Sequence, residues 1–279
     1  MTGTILKSKK GERKMQETNT KSLKKQLAAA IAMLLVAVVA LGSASYAWFV
    51  SNNSVDATVS TISARSNAPF LKITSGTGTI TGDTGTTYSY NTGGDDPQAD
   101  KALFPVQVTA WTSSDITWQS AYASNKGSAN ENATTRFTVK DTDEANYYLL
   151  EEFKIGTDGT TEGTFVNLRV ADNGVSLVNT ASSQLDSALR LLIVCGENAV
   201  ILNGTGAVVT TAEGAGTISG VKTEANAVLA DSIGKGESVN VKVYAYYDGA
   251  DAKVYTDNLA QLTSIAATIT FTADDAATT

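Results

Sequence analysis

The chain contains no histidine. That absence removes the Ser-His and Cys-His nucleophile pairs, the usual imidazole ligands of zinc, and any H-E-x-x-H helix. Cysteine is nearly absent too. Cys195, inside "LRLLIVCGEN", is the only one, so no intramolecular disulfide can form. Such a domain must be held by its core, and Cys195 reads as a small buried hydrophobe within it. Prolines number three and charged residues make up 18% of the chain, leaving Gly, Thr, Ser, Ala and Asn to crowd the connections.

Fragments of catalytic and metal-binding patterns do occur. Ser232-Ile-Gly-Lys235 has the S-x-x-K spacing, but its K-T-G companion is missing, since Lys222-Thr223 is followed by Glu224. It reads as a solvated turn. Asp141-Thr-Asp143, with Glu152 at the twelfth position, has the outline of a calcium loop. Ala145, however, stands where a ligand is needed, and Asn146 replaces the turn glycine. Asp95, Asp96 and Asp100, or Asp248 and Asp251, could hold calcium weakly at a loop, although Asp is also an ordinary turn residue. Glycosidase-type carboxylate pairs are defined by separation in space, which the sequence does not give. Sequons at Asn52, Asn132 and Asn203 are expected by chance in a chain so rich in Asn and Thr. The expectation is a protein without catalytic residues, metal ligands or cofactor.

The first 25 residues carry eight basic side chains against Glu12 and Glu17, and Leu27 to Leu41 then runs without a polar group. Small residues follow, "GSASYA". A positive flank, a short apolar core and a small-x-small exit describe a secretory signal peptide. The apolar core, residues 27–41, is shorter than the roughly 20 residues of a spanning helix. Ser45 and Ala47 satisfy the small subsites of a signal peptidase, so cleavage is expected after Ala47, with Trp48 the new N-terminus. An uncleaved anchor is the alternative, with Gly42 to Val50 extending the helix.

Removing residues 1–47 changes the charge. The whole chain has 21 Lys+Arg against 28 Asp+Glu; the leader takes 8 and 2, leaving 13 against 26, a net −13. A domain this acidic is repelled by nucleic acid and anionic lipid, which excludes a nucleic-acid role and limits membrane contact to the signal segment. The remaining 232 residues suffice for a sizeable core.

That remainder is built from short alternating runs, the mark of half-buried strands. In "SVNVKVYAYY", Val239, Val241, Val243, Ala245 and Tyr247 share one face. In "SIAATITFTA", Ile265, Ala267, Ile269 and Phe271 do the same. In "GTFVNLRVA" the inward set is Val166, Leu168 and Val170. "ALRLLIVCG" is apolar almost throughout and reads as a central strand buried on both faces. "NYYLLEEFKIG" and "LFPVQVTAW" are further strands, and a short helix is possible around Ala181–Leu192. Residues 74–100 read as a long exposed excursion, and residues 203–236 as Gly-rich with weak strands. The predicted fold is all-β, an antiparallel jelly-roll-like β-sandwich with long Gly/Thr/Ser-rich loops, preceded by an N-terminal signal helix. The divisions are residues 1–47 (signal peptide), 48–64 (an N-terminal strand) and 65–279 (the sandwich). The polar C-terminus, "FTADDAATT", has no sortase-type Leu-Pro motif or hydrophobic tail, which argues against covalent wall attachment.

The order from apolar core through "SYAWF" and an Asn/Ser spacer to "VDATVSTISA" resembles the TasA/camelysin family. These are secreted fibre proteins of Gram-positive biofilm matrices, with SipW-type signal peptides cut by a dedicated peptidase. "GESVNVKVYAYYDGADAKVYTDN" and "SIAATITFTA" are similar to that family's closing strands. The resemblance is sharpest over residues 43–64, moderate over 236–272 and faint between. It implies extracellular or cell-surface localisation, a dedicated signal peptidase as a transient partner, and other copies of the chain as the lasting one. It also implies that the strand after the cut, with Phe49, Val50, Val55, Ala57, Val59 and Ile62, is donated to a neighbour as a self-assembly strand. The other reading of that strand is an ordinary first strand of its own sandwich. The family's association with metallopeptidases does not carry over, because there is no histidine. A non-enzymatic matrix or surface fibre is the leading expectation. The alternatives are a secreted adhesin or carbohydrate-binding β-sandwich using Trp111, Trp118 and the tyrosines, and a hydrolase with carboxylates paired only in space.

Overall fold

The computed structural model describes residues 23–36, 61–66, 70–81, 83–91, 103–120, 137–138, 146–160, 164–177, 186–212, 216–251, 253–254 and 266–276. The chain divides into two units, residues 1–54 and 55–279. In the first, residues 23–36 form a helix, α1, which includes much of the apolar run. Among the described residues, no helix is long and apolar enough to cross a membrane.

The second unit is mostly β. Its strands are β1 (Thr61–Ser66), β2 (Lys72–Ser75), β3 (Thr87–Asn91), β4 (Val106–Thr112), β5 (Asp115–Ser120), β6 (Phe137–Thr138), β7 (Leu149–Gly156) and β8 (Phe165–Leu177). There follow β9 (Leu189–Cys195), β10 (Asn198–Asn203), β11 (Thr211–Ala212), β12 (Gly216–Thr217), β13 (Ala230–Ile233), β14 (Ser238–Tyr247) and β15 (Ala266–Asp275). Sheet I has the order β13-β8-β15-β1-β3, sheet II the order β10-β9-β14-β7-β2, and sheet III the order β4-β5-β6; β11 and β12 form a small ribbon. The ladders are antiparallel except one: β1 runs parallel to β15, with Ile62 opposite Ala267 and Ala64 opposite Ile269. Its other neighbour, β3, is antiparallel.

Alternation places the core. Val241, Val243, Ala245 and Tyr247 of β14, with Ala267, Ile269 and Phe271 of β15, enter one buried cluster that draws on both five-stranded sheets. Ile62, Phe153, Leu168, Leu191 and Ile193 belong to the same cluster. Strand β9 is buried on both faces as expected: Leu191, Ile193 and Cys195 face this core, while Leu192 enters a second one. The second core lies between sheet II and sheet III, from Val106, Val108, Trp111, Trp118, Ile201 and Tyr246. It buries the C-terminal end of the other face of β14, where Tyr246 sits under sheet III and is only 2% exposed, while Asn240 and Lys242 on that face stay exposed.

Several expectations are corrected. In β8 the buried residues are Phe165, Leu168, Gly174 and Val175, and Val166 is only partly buried, so Val166, Leu168 and Val170 do not form one inward row. The cause is an irregular ladder against β15, with register shifts at Ile269/Phe271 and Thr272/Asp274. Asn167 (φ 57°) and Asn173 (φ 53°) take the left-handed conformation there, which Asn tolerates better than most residues. A Cβ on the adjacent Gly174 would stand 2.5 Å from the Ala171 carbonyl oxygen, so the tight backbone approach requires glycine. Residues 74–100 are not all excursion, since β3 forms an edge of sheet I within them. The helix considered around Ala181–Leu192 is, where described, a single 3-10 turn (Asp186–Ala188) running into β9. The division drawn between residues 64 and 65 falls inside β1.

Candidate functional site

Three places merit attention. The first is β1. It lies between β15 and β3, with Ile62 1% and Ala64 0% exposed on the core side. The opposite face carries Ser63 and Arg65, whose Nε donates a 2.8 Å hydrogen bond to Thr270 Oγ1 on β15. Ile62, expected on a strand offered to a neighbour, is therefore packed in its own chain's core. The reason is its parity: it shares a face with Ala64, and that face meets Ala267 and Ile269. The other residues of the expected assembly strand, Phe49, Val50, Val55, Ala57 and Val59, and the cleavage residues Ser45, Ala47 and Trp48, lie outside the described residues.

The second place is the loop after β14, "YDGAD". Arg190 on β9 sends Nη2 to Asp248 Oδ2 at 3.1 Å and stands 3.9 Å from Asp251 Oδ2. Asp248 Oδ1 accepts from Gln107 Nε2 (3.2 Å) and from the Ala250 N–H (3.0 Å). Arg190 Nη1 also donates to the Ser187 and Leu189 carbonyls. Arg190 Nε is buried with no hydrogen-bond partner among the described residues. The guanidinium thus occupies the position between Asp248 and Asp251 that a calcium ion would need. No group of three or more His, Cys, Asp or Glu side chains that could hold a metal is found among the described residues. Asp95, Asp96, Asp100, Asp141 and Asp143 lie outside them. Arg190, on β9, and Asp248, just after β14, lie far apart in the sequence, and their pairing leaves no local signal.

The third place is a groove where sheet III steps off sheet II, with a cavity volume of about 410 Å³. One wall is the β4–β5 hairpin from Trp111 to Ile116, and the floor includes Val194, Asn240, Lys242 and Tyr244 on the outer face of sheet II. The hairpin is fastened by a hydrogen bond from Trp111 N to the Ser219 carbonyl (2.8 Å). The close passage beside Gly220, which has φ +86°, secures the same point. Trp118 is packing and not a free platform: it stacks on Tyr148 (centroids 4.9 Å apart, 20°) and meets Tyr246 edge-on (5.1 Å, 90°). Trp111 is buried at the groove's margin, and Tyr148 and Tyr244 are half-buried. Lys242 Nζ pairs with Glu152 Oε1 across the ladder at 3.1 Å, and this hydrogen bond holds the ammonium above its ordinary pKa. The tyrosines on the second face of β14 are the signal that this face also is buried, because aromatic side chains there are poor solvent residues.

The remaining sequence patterns resolve simply. Ser232 is exposed on β13 and Lys235 is exposed in the turn that follows. Cys195 is buried, and burial pushes its thiol up to about 11, far from the thiolate a nucleophile needs. Comparison with family models, curated proteins and solved structures finds no match.

Proposed function

We propose that the chain is a secreted, non-enzymatic structural protein that assembles into cell-surface or matrix fibres by giving its N-terminal segment to a neighbouring copy. The fold we infer beneath this is an antiparallel jelly-roll-like β-sandwich. The supporting observation is the single apolar cluster filled from both five-stranded sheets.

The observation that carries the assembly reading is a change of phase before Ile62. Side chains of a strand alternate between faces, so residues of the same parity as Ile62 and Ala64 point to the core. Val55, Ala57 and Val59 have the opposite parity. A regular strand continued back from β1 would present them beside Ser63, Arg65, Thr268 and Thr270, on the polar side of sheet I. An apolar row so placed would be completed by another molecule, and β-augmentation supplies backbone pairing together with alternate pockets. A contact of this kind, passed head to tail, does not close and so propagates a filament. Cleavage after Ala47 is the step that frees the segment, as the resemblance of "SYAWF" to the TasA/camelysin signal region implies.

The test separates residues of opposite parity. Val55→Asp and Val59→Asp proteins should fold, by circular dichroism, yet sediment as monomers. Ile62→Asp should lose its cooperative fold, because it places a carboxylate in a core position that is 1% exposed. Filaments from Val59→Asp protein, seen by electron microscopy, would defeat the reading, and so would loss of folding in that variant.

A further inference from the structure

The groove between the β4–β5 hairpin and the outer face of sheet II has a composition that the assembly reading does not use. Its aromatic side is Trp111 and Tyr244; its polar side is Asp115, Asn240 and the hydroxyls of Thr112 and Ser114. Thr112 Oγ1 faces the Ser114 hydroxyl (3.4 Å) and the Asp115 carbonyl (3.3 Å), so the hairpin tip gathers its polar groups close together. The volume of about 410 Å³ falls within the range of small-molecule sites.

Charge narrows the ligand. Lys242, the one cation lining the groove among the described residues, is engaged by Glu152, and Asp115 supplies one carboxylate. Neither sign dominates the groove, and the chain as a whole carries −7, so a polyanion is disfavoured. The mixed aromatic and polar lining suits a neutral molecule with apolar C–H surface on one side and many hydroxyls on the other. A carboxylate and a primary amide are suited to such hydroxyls, because one accepts only and the other both donates and accepts. The aromatic edge takes the C–H surface. We propose that this groove is a binding site for a neutral saccharide, with Asp115 and Asn240 fixing the hydroxyls, half-buried Tyr244 contacting the ring and buried Trp111 backing the wall.

The proposal is independent of assembly, because every residue it names lies in the described domain and none in the segment before β1. It is tested by presenting full-length protein to an array of neutral glucan, galactan and chitin oligosaccharides alongside acidic glycans, then titrating the retained sugar by calorimetry. Binding of a neutral saccharide is expected. It should weaken about tenfold in each of Asp115→Ala and Asn240→Ala, the loss of one good hydrogen-bonding partner. Asp172→Ala, an exposed change in β8, should leave affinity unaltered. Both groove residues are at exposed positions, and circular dichroism confirms that the variants remain folded. Retention of no neutral glycan, retention of acidic glycans only, or affinity unchanged in both groove variants would overturn the assignment. Val59→Asp protein should bind the sugar as well as the parent, so failure of the assembly reading leaves this one standing.

Discussion

Replacing Asp248 by alanine should be among the most damaging single changes in the domain. The carboxylate side chain is 9% exposed and faces the Arg190 guanidinium, itself 13% exposed. Its removal leaves Arg190 with Asp251 at 3.9 Å as its nearest carboxylate, while Gln107 Nε2 and the Ala250 N–H lose their acceptor. Breaking a buried pair from one side costs about 3–5 kcal/mol, because the surviving charge is left uncompensated. A domain of this kind is stable by about 5–15 kcal/mol in total, so the loss is about a fifth or more of that margin. At roughly 2–4 °C per kcal/mol for this chain length, the melting temperature should fall by about 6–20 °C. Urea unfolding followed by circular dichroism measures the free energy directly. A double-mutant cycle with Arg190→Ala should return a coupling above about 1 kcal/mol, since the partners touch. Calcium in the millimolar range should not stabilise the parent through this loop, as the guanidinium already stands against Asp248 and beside Asp251. A loss below about 1 kcal/mol would refute the argument. So would calcium-dependent stabilisation that disappears in the Asp248 variant.

Two further predictions concern the backbone and the surface. Gly220→Ala should destabilise by more than about 1 kcal/mol, because the position has φ +86° and the added Cβ would lie 1.9 Å from the Trp111 carbonyl oxygen; denaturant titration checks it, and a neutral result would mean that the hairpin is not seated there. Asp274 is held below the ordinary carboxylate range chiefly by its hydrogen bonds to Arg169, then by Asn167. A depressed pKa contributes stability that is present above the unfolded value, near 3.9, and lost as pH falls through the folded one. With the side chain 35% exposed, screening limits the effect to about 0.5–1 kcal/mol. The stability difference between parent and Asp274→Asn should therefore hold from neutral pH down to about 4 and close below it; a gap that widens in acid would contradict the assignment.

What could be read in the sequence was whatever depends on period two. β14, β15 and β9 follow from alternation or from a continuous apolar run, because burial on one face or on both dictates those patterns directly. The failures share a cause, which is that a second contact overrides the local period. Asn167 and Asn173 interrupt the ladder of β8, so its buried side chains fall at Phe165, Leu168 and Val175 instead of in one alternating row. Sheet III covers the far side of β14, so Tyr246 is interior although the strand reads as half-exposed. The Arg190–Asp248 pair and the groove bring together residues from separate strands, and no spacing announces either. Asn inside a strand pattern and tyrosine on a supposedly wet face were the available clues.

The parity at β1 shows how such an override constrains the N-terminal segment. Val55, Ala57 and Val59 could enter the chain's own core along a regular strand only if the ladder slipped by one residue. The slip would turn Ile62 and Ala64, now 1% and 0% exposed, toward the polar side and bring Ser63 inward. It would also break the alignment that places Arg65 Nε 2.8 Å from Thr270 Oγ1. Two apolar rows therefore compete for one core face, and the ladder with Ala267 and Ile269 gives it to Ile62 and Ala64. Burying an isoleucine is worth about 1.5–3 kcal/mol. The slip gives up the burial of Ile62 and Ala64 together with the Arg65–Thr270 contact, so the register should stand and the odd-numbered row should remain available to a second molecule. Cross-linking settles the point. With Cys195 changed to Ala, Ile62→Cys paired with Ala267→Cys should form a disulfide within one chain, whereas Ser63→Cys paired with Ala267→Cys, the partners that a one-residue slip would align, should stay reduced. An efficient intrachain bond in that second pair would show that the ladder slips and that the apolar row belongs to its own domain.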